Sequence, residues 1–462
     1  IDDPWKHPDQ EEKAARFFND GLLVIENGLV KALGDYETVS RHYPEAKITH
    51  FKNRLILPGF IDGHVHVPQT RVIGAYGQQL LGWLQKWIFP EEMKYADRQY
   101  AREGTRNFFA NLLASGTTTC QAFTTAFSVS TEEFFEEASR LNMLVIGGLT
   151  GIDRFAPAEY IDTPENFYKD TQALIAKYHR KGRNLYAITP RFALGATVDL
   201  MGVCRRLKQE YNDCWVNTHI SETPLEVAGV ADFHGCSDYL AVYEKYDLVG
   251  QRFSGGHGVY LSDDEFKRIA RADASVTFCP TSNFYLGSGL FRLGRATDPH
   301  HRIRLSFGTD VGAGNRFSML QVLDEAYKVG MCNYTRLDGS LDPRDKNMME
   351  AERSKLSPYK AFYSITLGGA HGLYIDDRVG NFQTGKEADF VVLDWTAGQR
   401  ALQWQTTLHT STEGPKTRAE AADLLFSLMA LGDDRNVDET WIMGKRQYRK
   451  DDRELVAAAH KQ

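Results

Sequence analysis

Eight short segments rich in β-branched and apolar residues recur between residues 61 and 310, and this repetition constrains the fold more than any other feature. They are IDGHVHV (61–67), GTTTCQAF (116–123), NMLVIGGLT (142–150), LYAITPRF (185–192), CWVNTHIS (214–221), RFSGGHGVYL (252–261), ASVTFCP (274–280) and RLSFGTD (304–310). Segments with a helical pattern lie between most of them. Strands that alternate with helices form a parallel sheet, and eight such strands predict a (β/α)8 TIM barrel of the α/β class.

Signals for helix starts support this alternation. Ser and Thr are favoured at the N-cap, where the side chain accepts a hydrogen bond from a free backbone N–H, and Pro is favoured at the first helical position. Three such signals lie between the predicted strands: Ser130 with Glu133, Thr163 with Pro164, and Ser262 with Glu265. We expect a helix to begin at each of them.

The two ends of the chain carry short strands outside this repeat. Two β-like runs flank Asn27-Gly28 in residues 22–33, a combination typical of a hairpin, and two more strands are predicted at 388–394 and 440–449. We expect one small β-sandwich assembled from both termini. The predicted division is an N-terminal part of the sandwich (1–57), the barrel (58–375), and the C-terminal part of the sandwich with terminal helices (376–462).

Composition excludes several classes of partner. The net charge of −7 argues against a nucleic acid, because binding to phosphates needs a basic surface. No run of 18 or more apolar residues is present, so no membrane span is expected. The six cysteines form no C-x-x-C pair, which indicates free thiols in a reducing compartment and predicts a cytoplasmic protein.

Metal-ligand residue types fall at the ends of four predicted strands. His64 and His66 end the first strand on one face, His219 ends the fifth, His257 lies on the sixth, and Asp310 closes the eighth. A single one of these is more often a core histidine or a helix cap. In a (β/α)8 barrel, however, active-site groups lie at the carboxyl ends of the strands, so the five together predict a metal centre.

Four histidines and one aspartate suit zinc, with iron or manganese as alternatives. The fourth predicted strand has no lysine that could bridge a second ion, so one ion per chain is expected. Neither an H-E-x-x-H nor a P-C-x-x-C motif is present. Glu222 follows His219 by three residues and is either a solvated loop carboxylate or a general acid/base beside the metal; the predicted ligand set favours the second.

These motifs resemble the amidohydrolase superfamily in its single-metal deaminase branch. The resemblance rests on H-V-H (64–66), H-I-S-E (219–222), H-G (257–258) and G-T-D (308–310). Longer segments are similar to the guanine deaminase family: HVHVPQ (64–69), GAYGQQLLGWLQKWIFPEE (74–92), ITPRF (188–192), CPTSN (279–283), GTDVGAG (308–314) and LGGAHGLYIDDRVGNFQTGKEADFVVLD (367–394). The similarity implies a barrel that carries a small β-sandwich, in agreement with the terminal strands.

The resemblance also implies an activity: zinc-dependent hydrolytic deamination of guanine to xanthine and ammonia by a homodimer. Asp310 is expected to accept a proton from the attacking water and to orient that water. Glu222 is expected to relay a proton to the ring nitrogen beside the amino-bearing carbon. His257 is expected either to complete the metal shell or to polarise the attacked carbon. The residues implied to bind the purine are Gln69, Arg191, Phe192, His219, Glu222 and Asp310.

Three alternatives remain open from the residues alone. Without the resemblance, a structural ion pair would be preferred for Arg191 and ordinary core packing for Phe192. The metal motifs do not separate guanine from another ring, such as cytosine, an oxidised guanine or a triazine. A noncatalytic scaffold would be expected to have lost some of these ligands, and here all five are present.

Overall fold

A computed structural model describes residues 1–76, 79–334, 346–409 and 414–452. The strands within them are β1 (Gly21–Glu26), β2 (Leu29–Asp35), β3 (Leu55–Pro58), β4 (Phe60–His66), β5 (Thr117–Phe123), β6 (Leu144–Gly148), β7 (Thr150–Gly151), β8 (Asn184–Pro190), β9 (Trp215–Ile220), β10 (Phe253–His257), β11 (Ser275–Phe278), β12 (Arg304–Phe307), β13 (Phe390–Leu393), β14 (Val437–Ile442) and β15 (Lys445–Arg449).

Eight of these strands form one curled parallel sheet in the order β4-β5-β6-β8-β9-β10-β11-β12, and the short β7 pairs with β8. The ring closes just after β12. Asp310 N donates to His64 O (2.8 Å), and His66 N donates to Val311 O (3.0 Å). The predicted (β/α)8 barrel is confirmed, and its closure brings the chain after β12 against the two histidines of β4.

Helices connect the strands and cover the outside of the barrel. They are α1 (Tyr36–Val39), α2 (Leu80–Trp83), α3 (Phe89–Glu92), α4 (Arg98–Ala114), α5 (Ser128–Leu141), α6 (Pro164–Tyr178), α7 (Val198–Glu210), α8 (Pro224–His234), α9 (Tyr239–Lys245), α10 (Asp263–Arg271), α11 (Pro280–Tyr285), α12 (Leu293–Ala296), α13 (Met319–Tyr334), α14 (Lys346–Ser354), α15 (Pro358–Ser364), α16 (Leu367–Gly372), α17 (Arg400–His409) and α18 (Arg418–Leu431). No helix in the described part of the chain is long and apolar enough to cross a membrane.

All eight predicted barrel strands are present; the first is shifted by one residue at the same length, and the other seven are shorter than predicted. The sixth was predicted too long: β10 ends at His257, and Gly258 then turns the chain with a φ of +62°. The helix starts at Thr163 and Ser262 are confirmed. The start at Ser130 was wrong, because α5 already begins at Ser128 and the Glu133 carboxylate instead accepts hydrogen bonds from two arginines of α4, Arg98 and Arg102.

Both chain ends contribute strands to a small sheet beside the barrel. Its order is β15-β14-β13-β3, so a strand from the N-terminal part pairs with strands from the C-terminal part. The β1–β2 hairpin turns at Asn27-Gly28 as predicted, with φ values of 53° and 82°. It meets the chain before β13 through Val30 N, which donates to Lys386 O (2.8 Å).

The predicted boundaries after residues 57 and 375 stay predictions. Residues 77–78 of the 74–92 motif lie outside the described residues, as do 410–413 and 453–462 of the predicted C-terminal part.

The amino-terminal end of the barrel is filled by apolar side chains. Ile61, Ile146 and Trp215 belong to one buried cluster with residues of α16 and the turn after it. The indole Nε1 of Trp215 donates to Leu373 O (2.8 Å), which holds this turn against the barrel. The opposite, carboxyl-terminal end is where the polar side chains converge.

Candidate metal centre and active site

Three histidines and one aspartate converge at the carboxyl end of the barrel. His64 and His66 project from the same side of β4, His219 lies at the end of β9, and Asp310 lies three residues after β12. Asp310 Oδ1 is 3.4 Å from His64 Nε2 and 3.1 Å from His66 Nε2, and His66 Nε2 is 3.3 Å from His219 Nε2. One possible ligand atom from each of the four residues lies within 4.8 Å of the others.

These spacings fit one small cation. Two ligand atoms at about 2.1 Å from a tetrahedral zinc ion are about 3.4 Å apart, close to the observed separations. The orientation of His219 supports the same conclusion. Its Nδ1 donates to Arg191 O (2.6 Å), which leaves the lone pair on Nε2, facing the other three side chains. A cation among these crowded acceptor atoms would relieve their repulsion.

Electrostatics favour the ligand forms of these groups. Burial, and then the neighbouring histidines, lower the pKa of His219 well below its ordinary value, and burial also lowers the pKa of His66. Burial alone would raise the pKa of Asp310, but its contacts with His64 and His66 outweigh burial and hold the pKa well below the ordinary range. Neutral imidazoles and an ionised carboxylate are the forms that bind a metal.

A second buried carboxylate, which the sequence reasoning missed, fixes the position of Asp310. Asp62 accepts hydrogen bonds from Thr309 N (3.0 Å) and Thr309 Oγ1 (2.5 Å), and from His64 N (3.2 Å). Burial raises the pKa of Asp62 to about 6. The available signal was a charged residue two positions before His64, inside an apolar strand. Asp62 ties β4 to the segment that carries Asp310.

Glu222 is buried beside the four-residue cluster. Its Oε2 is 3.6 Å from His257 Nε2, and its Oε1 accepts a hydrogen bond from Ser288 Oγ (3.0 Å). Burial, the Glu226 carboxylate and Asp310 raise the pKa of Glu222 well above its ordinary value. A carboxyl group in this environment holds a proton at higher pH than a surface glutamate does, which suits proton transfer.

His257 faces the cluster from β10 but stands slightly apart from it. Its Nε2 is 3.8 Å from Asp310 Oδ2, and the group of four possible ligands does not include it. The Asn283 amide nitrogen lies 3.0 Å from His257 Nδ1; with that amide as donor, His257 carries its proton on Nε2, toward Glu222. Burial lowers the pKa of His257 to about 3, which keeps the ring neutral.

All six residues predicted to bind the purine line one cavity, which His66 also lines. Gln69, Arg191 and Phe192 all contribute to its wall. The cavity measures about 30 Å³ and is partly open to solvent. Arg191 is also ion-paired: its Nη1 donates to the buried carboxylate of Glu92 (2.6 Å), a partner that the sequence reasoning missed.

The comparison with known families agrees with this geometry. A match to the amidohydrolase family spans residues 55–446 and so includes all the residues described above. This chain belongs to the amidohydrolase family.

Similar amidohydrolases include several named for one activity. A guanine deaminase of Escherichia coli is 41% identical, over 96% of this chain and 94% of its own. The crystal structure of a guanine deaminase from Bradyrhizobium japonicum is 66% identical, covers 97% of each chain and has a TM-score of 0.95. A guanine deaminase structure from C. acetobutylicum with guanine bound in its active site is 27% identical, covers 93% of this chain and 95% of its own, and has a TM-score of 0.80.

The predicted site residues therefore lie together at one end of an amidohydrolase barrel. The residues that sequence reasoning missed are the ones that hold them: Asp62, Glu92, Asn283 and Ser288. Gly256 is another. A Cβ atom there would lie 2.3 Å from the His64 ring, so only glycine leaves room for that imidazole.

Proposed function

We propose that this protein is a zinc-dependent guanine deaminase that hydrolyses guanine to xanthine and ammonia. One observation carries the proposal: three histidines and an aspartate lie at metal-ligand spacing, and all but His64 of these four line one cavity with a buried glutamate and three side chains suited to a flat heterocycle. The high identity to proteins named guanine deaminase points to the substrate.

His64, His66, His219 and Asp310 would hold one zinc ion per chain, with iron or manganese as alternatives. Zinc in this position supplies a water molecule of lowered pKa and so a nucleophile at neutral pH. His257 is assigned to polarising the attacked carbon, since its Nε2 lies closer to Glu222 than to Asp310.

The protein's own groups then carry the protons. Asp310 accepts a proton from the attacking water and orients it. Glu222, whose pKa is raised by burial, donates a proton to the ring nitrogen beside the amino-bearing carbon and makes that carbon electrophilic. The proton that Asp310 took from the water then passes to the amino group, so that the C–N bond breaks and ammonia leaves. The hydroxyl on the same carbon becomes the new carbonyl and gives its proton back to Glu222. Glu222 is 2% exposed, so bulk water has little access to these protons.

Gln69, Arg191 and Phe192 are proposed to hold the purine. Arg191 has only donors, which match the carbonyl oxygen of guanine, and Phe192 presents an apolar ring edge or face. His219, Glu222 and Asp310 line the end where the amino-bearing carbon would lie.

The metabolic role, the oligomeric state, the cellular location and the domain boundaries are also proposed. A role in purine catabolism and a homodimer follow from the resemblance to the family. A cytoplasmic location is supported by six free cysteines, four of them buried. The boundaries at residues 57 and 375 are supported by the start of the barrel at Phe60 and by the sheet that β3 forms with β13.

The test is ammonia release from a panel of guanine, adenine, cytosine, an oxidised guanine and a triazine. We expect rapid release from guanine, little from adenine and cytosine, about one zinc per chain, and loss of activity with a chelator while the barrel stays folded. Preference for another ring would establish a related aminohydrolase instead. Inactivity toward the whole panel with metal bound would favour a noncatalytic protein.

A further inference from the structure

We infer that Glu92 is a positioning residue for substrate recognition: its buried carboxylate fixes Arg191 and Gln69 in the orientations that meet the purine. The inference rests on the proposed function, which names Arg191 and Gln69 as purine-binding residues but assigns no part to Glu92. It concerns the end of the cavity away from the metal ligands.

Glu92 lies on α3 and is completely buried, and both its carboxylate oxygens are occupied. Oε1 accepts from Gln69 Nε2 (3.0 Å). Oε2 accepts from Arg191 Nη1 (2.6 Å) and from the hydroxyl of Tyr160. One carboxylate therefore joins three donors that come from the turn after β4, the loop after β7 and the segment after β8.

The contacts leave Gln69 and Arg191 little freedom. The Gln69 amide is held at both ends, since its Oε1 also accepts from Gly312 N (3.0 Å). Arg191 is 2% exposed and its guanidinium packs over the Phe89 ring, 5.5 Å from the ring centre. A planar guanidinium fixed through one nitrogen points its remaining donors in fixed directions, which is what recognition of a flat heterocycle requires.

The charge of the network also matters. Burial alone would lower the pKa of Arg191, but the Glu92 carboxylate outweighs it and raises that pKa. The guanidinium stays protonated, and the carboxylate balances its charge. The recognition end of the cavity therefore offers donors without net charge, as suits a neutral purine. Without Glu92, Arg191 would be a buried cation free to turn toward Asp310 or toward solvent.

Glu92 has a matched neighbour. Glu91 lies on the same helix, is 5% exposed, and accepts from Lys94 Nζ (2.7 Å) and Tyr100 Oη (2.6 Å), but it does not line the cavity. Glu91→Gln therefore makes the same chemical change at the neighbouring position of α3, in an ion pair whose lysine is about half exposed. An effect that arises only from weakening this helix would appear in both variants.

The experiment is a double-mutant cycle on kcat/KM for guanine with the zinc-loaded full chain, using Glu92→Gln, Arg191→Ala and the double variant. We expect Glu92→Gln to lower kcat/KM by about 100-fold in the parent and by less than about threefold in the Arg191→Ala background, because misplaced contacts of this kind cost about that much. Tyr160→Phe removes one donor and no charge. Its loss of kcat/KM should be smaller than that of Glu92→Gln and should likewise be found only when Arg191 is present. The metal content of the variants should stay near that of the parent, and so should the activity of Glu91→Gln.

Equal losses from Glu92→Gln with and without Arg191 would overturn the inference, as would an equal loss in Glu91→Gln. If Glu92→Gln does not fold, the same cycle is run with Tyr160→Phe and Arg191→Ala. Equal losses of kcat/KM from Tyr160→Phe with and without Arg191 would then overturn the inference. These results are separate from failure of the proposed function, which would appear as a parent enzyme that releases no ammonia from guanine.

Discussion

The two ends of the barrel differ in how their buried titratable side chains are paired. At the carboxyl end, four buried imidazole nitrogens have no hydrogen-bond partner among the described residues: His64 Nδ1, His64 Nε2, His66 Nδ1 and His257 Nε2. At the amino end, Arg183 is equally buried and fully paired. Its guanidinium donates to Asp389 (2.6 and 3.2 Å), Glu387 (2.5 and 3.0 Å) and Asn142 O (2.8 Å).

The difference separates a reactive region from a stabilising one. An unpaired buried imidazole nitrogen costs free energy unless a ligand, metal or substrate meets it, so this cluster of such nitrogens supports a binding site at the carboxyl end. Arg183 instead joins β8 to the segment before β13 and so connects the barrel to the small sheet. Mutations at the two ends should therefore change different quantities.

The largest expected effect is that of Asp310→Asn at the carboxyl end. Loss of the carboxylate would remove both the proposed metal ligand and the proposed proton acceptor, so we expect kcat/KM to fall by about 10⁴-fold or more together with metal content. The unfolding midpoint should change little. Steady-state ammonia release, metal analysis and chemical denaturation measure the three quantities. Asp376→Asn, which changes a carboxylate 3.4 Å from His371 at the other end, is the control and should keep activity.

Glu222→Gln should lower kcat by about 10²–10⁴-fold while metal content stays the same, because the amide keeps the shape of the carboxyl group but transfers no proton. Its side chain can still accept from Ser288, so stability should be unchanged. A variant that turned over at the parent rate would show that another group moves the proton.

Arg183→Met should have the opposite effect to these two variants: stability should fall and activity should be unchanged. It leaves the buried Asp389 carboxylate without its cation, and removing one partner of a buried ion pair costs about 3–5 kcal/mol of unfolding free energy. We expect kcat/KM to be unchanged below the melting range. Arg378→Met is the control: Arg378 is about a quarter exposed, and its pair with Glu387 should contribute about 1 kcal/mol or less. Equal losses in the two variants would contradict the comparison.

The smallest effect concerns pH. His179, near the amino end, has its pKa lowered by burial, although its contact with Asp213 (3.2 Å) opposes this. As pH falls below about 6.5, the unfolded chain therefore takes up a proton that the folded chain does not, and stability decreases, by at most about 1.4 kcal/mol per pH unit. In His179→Gln this loss should be absent, so the stability difference between parent and variant should shrink toward acid pH. Denaturation at several pH values tests it; a constant difference would contradict the prediction.

Local patterns in the sequence predicted most of the fold. Each barrel strand is a short run rich in β-branched and apolar residues, and each candidate ligand falls at or just after the end of such a run. The barrel rule alone therefore predicted that His64, His66, His219, His257 and Asp310 lie at one end. The helix start at Ser130 failed because Glu133 has a stronger partner in α4, which the local capping pattern does not contain. The hydrogen bonds of Gln69 and Arg191 likewise had no local signal.

The sequence by itself determined the barrel, and it singled out the candidate metal ligands and Glu222 as the candidate acid/base, because strand periodicity and residue chemistry are local properties. Only the tertiary structure decided which groups hold these residues in place. Asp62 meets Thr309 across 247 residues, and Glu92 meets Arg191 across 99. Closure of the barrel brings these partners together, and their pairing depends on distances between strand ends that no local pattern encodes.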